Sequence, residues 1–369
     1  MDPLITDHHL DVDALGVTVR IDVEALAPDD RTVLREIWSD ARSTGAPTAP
    51  VERVTPQLTE PPDLAFADLS TRVTLAALAA RRGALWMVHA GAIADRDGRV
   101  VLFAGPSGMG KTTLMTRLAR TYSYVTDESV GIAPDLSVLP YRKPLSIITP
   151  RGLTKTQRSP TSLGLGRLPF HPLRLHAVVV LDRRHDAHPG IEILDDAEAL
   201  SALAPQSSYL AEIPHPLTTV RAHLAAVGGA MRMSYRDGAE VENLVHDLFA
   251  PRPPRPAPTR GAGVTNLPAA PAATDVYTRT SVIDAVELDD GRMLILRTGD
   301  NESTLYVLDG IGPALWRAAE NADLETLTEV ARRSHADAAV ADARAAVSIA
   351  IEQMRLAGLV TGPTISLDG

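Results

Sequence analysis

The chain's 369 residues suffice for two or three domains, and 45% hydrophobic with 22% charged residues is the composition of a soluble globular protein. It has no cysteine, which excludes disulfides, thiol nucleophiles and thiolate zinc sites, and its formal net charge of −10 argues against a nucleic-acid partner. No apolar stretch reaches transmembrane length and Met1-Asp2-Pro3-Leu4 opens no signal peptide, so no membrane partner and a cytoplasmic location are expected.

In chain order, residues 16–24 alternate as a strand does, with Val17, Val19, Ile21 and Val23 on one face. Residues 29–41 space Leu34, Ile37 and Trp38 as a helix, 43–62 are rich in Pro and Thr and read as irregular, and 64–82 are an Ala/Leu helix. Residues 1–84 are therefore an α+β portion expected to pack on the domain immediately downstream. Residues 85–94 and 100–104 read as strands joined by Asp95-Arg96-Asp97-Gly98, 114–120 as a helix and 122–125 as a strand. Residues 176–182 form an apolar run of buried parallel type ending in an acid. Strands alternating with helices over 85–250 imply an α/β domain.

Residues 251–273 carry no hydrophobic period and are packed with Pro, Ala and Gly, the composition of a polyproline-II-leaning linker. At ~3.1 Å per residue it reaches up to about 70 Å. Beyond it, 281–288, 292–297 and 303–308 read as strands, followed by helices over 312–319, 324–334 and 338–357, the last capped by Gly358. Residues 274–369 are thus a small α+β module of winged-helix type, with 16 acidic against 8 basic residues, a poor charge for binding DNA.

One motif carries specific chemistry. Residues 105–113 read Gly-Pro-Ser-Gly-Met-Gly-Lys-Thr-Thr, which matches G-x-x-x-x-G-K-[ST] with Gly105, Gly110, Lys111 and Thr112 at its fixed positions. It stands between a predicted strand and a predicted helix, where free N–H groups and the helix dipole favour a polyphosphate. Ser107, Gly108 and Thr113 complete the cradle, Lys111 is placed to reach the terminal phosphates, and the Thr112 hydroxyl to ligate Mg²⁺. Lysine occurs only at 111, 143 and 155, every other basic residue being Arg, so one of the three marks the cradle.

Two resemblances rest on these residues and their neighbours. His89-Ala90, the phosphate loop and Asp127-Glu128 resemble the HPr kinase/phosphorylase family, which places a His element before the loop and an acidic pair beyond it; Pro140 to Leu145 and the Val178–Asp182 strand resemble HPr-kinase-like proteins of natural-product gene clusters. The likeness covers residues 85–250; the pair is Asp-Glu where Asp-Asp is usual, and the family's Glu-Ile-Arg-Gly signature is absent. It implies ATP or another nucleoside triphosphate, with Mg²⁺. Residues 275–362 resemble PqqD-like domains, the recognition elements that bind leaders of ribosomally made, post-translationally modified peptides. The matching stretches begin at Gly291-Arg292-Met293, at Leu305-Tyr306-Val307-Leu308-Asp309 and at Gln353-Met354-Arg355. That resemblance implies a leader adding as a strand to the third strand and lying against the last helix.

A phosphoryl-transfer site needs one carboxylate near Mg²⁺ and another to take the nucleophile's proton. Asp127 is assigned the base role and Glu128 the metal side, and the sequence permits their exchange; both could also be solvated turn acids. His89 either hydrogen-bonds that base or is a core histidine. Asp182 is a structural acid or a third Mg²⁺-side ligand, and His171, His176, His185 and His188 have no metal-binding spacing. In the C-terminal module the peptide-contact candidates are Thr304, Leu305, Tyr306, Val307 and Leu308 on the strand. On the helix they are Arg344, Val347, Ser348, Ile351 and Arg355, with core packing the competing role for Val347 and Ile351. The whole reads as a biosynthesis protein for such peptides that binds a leader and a nucleotide and presents the precursor to tailoring enzymes. The alternative is an ATP-dependent Ser/Thr kinase of the precursor, and self-association stays open.

Overall fold

Val100, Val101, Leu102 and Phe103 offer no polar side to solvent, and the fold needs none: Arg99–Ala104 is an inner strand on which all four are fully buried. The computed structural model describes residues 8–45, 49–57, 62–148, 155–186, 188–256, 275–299, 303–334 and 343–364. In it the strand belongs to a six-stranded sheet, ordered Gly190–Ile193, Ala230–Tyr235, Arg174–Arg183, Arg99–Ala104, Ala90–Ala94, Ser123–Thr126. Arg174–Arg183 runs parallel to both neighbours, while the other three pairings are antiparallel. Helices Lys111–Leu118 and Gly238–Leu244 pack Leu114, Leu118 and Val241 against Phe103, Val179 and Met233 of this sheet.

The apolar run expected as one strand over 85–94 is two. Trp86–Val88 joins a four-stranded sheet with Ser207–Ser208, Val130–Ile132 and Val138–Leu139, and Ala90–Ala94 joins the six-stranded one. The chain changes sheets at His89, whose N–H bonds to Gln206 O at 2.7 Å while the next N–H bonds to Glu128 O at 3.0 Å. Both halves are buried on every residue, so hydrophobicity carries no mark of the break.

Upstream, His9–Ala14 and Val17–Asp22 form a hairpin, the first strand being one that the pattern had not indicated. Its two turn residues, Leu15 at φ 50° and Gly16 at φ 74°, are both left-handed, as a tight hairpin turn requires. Leu15 is an unusual residue there; it is fully buried, so core packing holds it. Glu52–Val54 adds parallel to Val17–Asp22, inside the stretch expected to be irregular. The first helix stops at Ile37, with Trp38 as its cap, earlier than the expected 41. Helix Pro62–Ala80 lays Phe66, Leu69, Val73 and Ala77 into a core that also takes Leu85, Met87 and Tyr141.

That joint is locked by charge. Arg142 Nη2 lies 2.8 Å from Asp40 Oδ1, with both side chains under a tenth exposed. Arg142 also donates to the carbonyls of Tyr124 and Gly166, and Asp40 accepts from the N–H and hydroxyl of Thr161, each at 2.8 Å.

The chain divides into two units, Met1–Pro214 with Thr219–Ala257, and His215–Thr218 with Pro258–Gly369. The expected linker lies outside the described residues from 257 on, as do residues 338–342 of the expected last helix. In the C-terminal unit, Asp284–Glu287, Met293–Thr298 and Ser303–Leu308 form an antiparallel meander. Helices Gly312–Ala318, Leu324–Ser334 and Ala343–Leu356 close a core of Ile295, Trp316, Leu327, Val347 and Ile351. A second small sheet of Glu320–Ala322, Tyr277–Arg279 and Val360–Thr361 was not indicated by the pattern. Among the described residues no helix is long and apolar enough to cross a membrane.

Removing one partner of a buried ion pair leaves the other charge uncompensated. Asp40→Ala is therefore expected to destabilise the larger unit by about 3–5 kcal/mol in denaturant unfolding. A loss within ~0.5 kcal/mol, the range of ordinary surface substitutions, would contradict the role given to this pair.

Candidate functional site

The inner strand Arg99–Ala104 runs into residues 105–110, and the helix Lys111–Leu118 begins directly after them. Gly108 at φ 81° and Gly110 at φ 86° take left-handed conformations that L side chains rarely adopt, the backbone from which anion-binding nests are built. Gly110 caps the helix without any side-chain hydrogen bond, so the first turn keeps its donors for an anion. Fold and loop together define an α/β unit with phosphate-loop geometry. Gly91 is what lets the helix lie directly on the adjacent strand: a Cβ there would stand 2.4 Å from Met115 Cγ.

Sheet register brings the other candidates to the same edge. Ser123–Thr126 and Arg99–Ala104 flank Ala90–Ala94 and run the same way, so Asp127 and Glu128 emerge beside the phosphate loop, with His89 at the start of the shared neighbour. A cavity of about 1000 Å³ is lined by His89, Ser107, Gly108, Gly110, Lys111, Thr112, Thr113, Asp127 and Glu128. Gly105 is buried beneath it, and its carbonyl accepts from Lys111 Nζ at 2.6 Å, with Pro106 O at 3.2 Å. Burial lowers the Lys111 pKa, while Glu128 and Asp127 pull it back up. Burial, then Lys111, also lowers that of His89, which keeps the imidazole neutral at pH 7. His89 is half-buried on the cavity wall, outside the apolar core.

Asp127 is only 5% exposed and accepts from the Tyr124 hydroxyl at 2.9 Å. The Lys143 ammonium lies 2.8 Å from Glu128 Oε2 and 3.7 Å from Asp127 Oδ1. Burial opposes its charge, yet the two carboxylates outweigh burial and hold the Lys143 pKa above the ordinary lysine range. Asp182, in contrast, is not brought into the cavity lining; its carboxylate takes Arg184 at 2.8 Å and the Ser234 hydroxyl at 3.4 Å.

Motif reasoning passed over eight cavity residues: Thr116, Arg117, Arg120, Lys143, Ser146, Ile147, Lys155 and Glu242. The available signal was composition, because all three lysines of the chain line this one cavity. Five cations there, Lys111, Arg117, Arg120, Lys143 and Lys155, face three carboxylates, Asp127, Glu128 and Glu242. Such an excess in a chain of net charge −10 favours a polyanion. Among the described residues no three His, Asp or Glu can hold a metal ion by themselves. The donors present, Thr112 and Glu128, suit a Mg²⁺ that brings phosphate oxygens and water as its remaining ligands.

The C-terminal unit has a groove of its own, about 560 Å³, between the strand Ser303–Leu308 and the helix Ala343–Leu356. Tyr306, Val307 and Leu308 line it from the strand; Thr304 and Leu305 do not. From the helix it is lined by Ala346, Ile349, Ala350, Gln353 and Met354, a face about 150° around from the one named from sequence. Val347, Ser348 and Ile351 are buried, Arg355 pairs with Glu352, and Arg344 is exposed outside the groove. The core claims the Val347 face because Leu315, Trp316 and Leu327 lie beneath it.

No known protein-family profile matches the chain, and no curated protein matches it. Among solved structures, the Hpr(Ser) kinase/phosphatase from Coxiella burnetii aligns at 15% identity over 44% of this chain and 94% of that one, with a TM-score of 0.26. At that score the likeness adds nothing to the site, which rests on its own geometry.

Lys111→Ala removes a charged donor to the terminal phosphates, so titration calorimetry with ATP and Mg²⁺ should show roughly a ten- to hundredfold weaker complex. Lys111→Arg should not restore it, because a planar guanidinium does not fit the narrow space between loop carbonyls. Equal affinities for the three proteins would remove Lys111 from the site.

Proposed function

We propose that the larger unit binds a nucleoside triphosphate with Mg²⁺ and transfers its terminal phosphoryl group to a hydroxyl of a peptide captured by the C-terminal unit. The observation that carries this reading is that one cavity gathers His89, Lys111, Thr112, Asp127 and Glu128, which stand up to 39 residues apart in the chain.

Its chemistry follows from the groups present. Lys111 leaves the Gly105 and Pro106 carbonyls to meet the terminal phosphates, and the loop N–H groups hold the chain of phosphates in line. Thr112 and Glu128 would hold a Mg²⁺, and such an ion would supply positive charge against the negative charge that develops on the departing phosphate. Asp127, oriented by Tyr124, accepts the proton of the acceptor hydroxyl. The hydroxyl oxygen bonds to the γ-phosphorus as the bond to the β–γ bridging oxygen breaks, and the nucleoside diphosphate leaves with that electron pair. Neutral His89 stands where it can hydrogen-bond the acceptor or the base. Exchange of the two carboxylate roles leaves this balance unchanged.

The peptide partner is supported by the groove. Ser303–Leu308 pairs on one side with Met293–Thr298 and, among the described residues, has no strand on its other side. A free edge beside an apolar floor accepts an extended peptide as an added strand. The leader of a ribosomally made precursor is the partner proposed. Covalent linkage to the larger unit keeps that peptide at millimolar effective concentration. A second reading has the unit present its peptide to separate tailoring enzymes without phosphorylation. It is favoured by the groove belonging wholly to a unit with its own core.

Incubation with ATP, Mg²⁺ and a leader-bearing precursor should add one phosphate by mass spectrometry. Asp127→Asn should slow this by about 10²–10⁴-fold while nucleotide still binds. Ile349→Asp, at an exposed groove position, should abolish leader binding in fluorescence polarisation with the circular dichroism unchanged, whereas buried Val347→Asp should unfold the unit. A precursor that binds yet stays unmodified would move the assignment to the presentation reading.

A further inference from the structure

The three lysines of the cavity are held in three different ways. Lys155 is exposed. Lys111 donates to two loop carbonyls, which it can leave for a phosphate. Lys143 is fixed. Its ammonium lies between Glu128 and Asp127 and also donates to Pro144 O at 3.2 Å, with 5% of the residue exposed.

The segment carrying it is pinned on both sides. Fully buried Tyr141 shares a 3.0 Å hydrogen bond between its hydroxyl and that of Thr74. Arg142 is locked to Asp40 and to the carbonyls of Tyr124 and Gly166. Pro144 then restricts the backbone directly after it. The backbone that carries Lys143 is therefore held in place beside the two carboxylates.

Paired carboxylates at phosphoryl-transfer centres commonly hold two divalent ions about 3.5–4 Å apart. Here a tethered monovalent cation already stands between the two carboxylates. We infer that Lys143 is a built-in counter-cation that occupies the place of a second divalent ion, so that the site works with a single Mg²⁺ on the Thr112 side. Its consequence for catalysis rests on the phosphoryl-transfer reading. Lys143 neutralises one of two adjacent negative charges, fixes Asp127 and Glu128 against each other, and leaves one carboxylate's charge for the metal. It acts through them, as a positioning residue.

The test is Mn²⁺ binding to the full chain, read from the free-ion electron paramagnetic resonance signal, with and without a non-hydrolysable ATP analogue. Wild type with nucleotide should bind one Mn²⁺ per chain. Lys143→Ala removes the cation and leaves room for a hydrated ion, so it should gain one further Mn²⁺ site, with or without nucleotide, at least tenfold tighter than any wild-type counterpart. Lys143→Arg should stay at one, and Glu128→Gln in the Lys143→Ala background should abolish the gain. Two Mn²⁺ per wild-type chain would overturn the inference, as would a folded Lys143→Ala protein that gains none. If Lys143→Ala does not fold, the wild-type stoichiometry still decides. If no nucleotide binds at all, the transfer reading fails, while the nucleotide-free gain of Mn²⁺ in Lys143→Ala still judges Lys143.

Discussion

A buried ammonium group is stable only where negative charge replaces the water it has lost, and Lys143 meets that condition with two carboxylates. The same contact orders Asp127 and Glu128, which would otherwise repel each other at the edge of the phosphate loop. Holding the lysine there requires a rigid segment, and the rigidity comes from the N-terminal portion of the chain. Asp40 anchors Arg142 and Thr74 anchors Tyr141, one residue and two residues before Lys143. This gives a physical reason for the N-terminal portion: its hairpin and the helix Pro62–Ala80 form the core into which Tyr141, two residues before Lys143, is packed.

Charge is distributed with the same economy. An acidic chain places all three of its lysines in one cavity, beside Arg117 and Arg120, and every other basic residue is arginine. A guanidinium suits surface forks with carboxylates, as in Arg117 with Glu242 or Arg236 with Glu240, where its planar donors are used in parallel. A compact ammonium suits a narrow buried gap or a phosphate cradle. The C-terminal unit uses neither. Its groove offers a strand edge and apolar side chains, so its selectivity for a peptide would come from main-chain pairing and shape.

Much of this was legible in the sequence, for reasons that can be named. The phosphate loop was visible because its glycines and lysine are fixed by local geometry, and the strands at 100–104 and 176–182 because burial on both faces leaves an unbroken apolar run. The change of sheet at His89 was not, since both flanking strands are wholly buried and read as one. The first strand escaped because its turn is Leu15-Gly16, where packing overrides the usual turn residues. On the last helix, Val347 and Ile351 were the more apolar face, and the core took that face; the groove received the blander one with Ala346, Ala350 and Gln353. Lys143 lies within the run Pro140 to Leu145 that carried a family resemblance, yet neither that run nor its rarity as a lysine assigned it a role. Asp182 was open between a structural acid and a Mg²⁺-side ligand, because sequence shows its place at the end of a strand but not Arg184 and Ser234, which engage it.

Hydrogen–deuterium exchange of the full chain, with and without ATP and Mg²⁺, tests most directly whether the lysine-lined cavity is the nucleotide site. Bound nucleotide should slow exchange at the amides of residues 105–113 and 126–129 and leave those of 303–308 unchanged, because the groove is a separate site in a separate unit. Unchanged exchange over 105–113 at saturating nucleotide, or protection confined to other segments, would contradict the account.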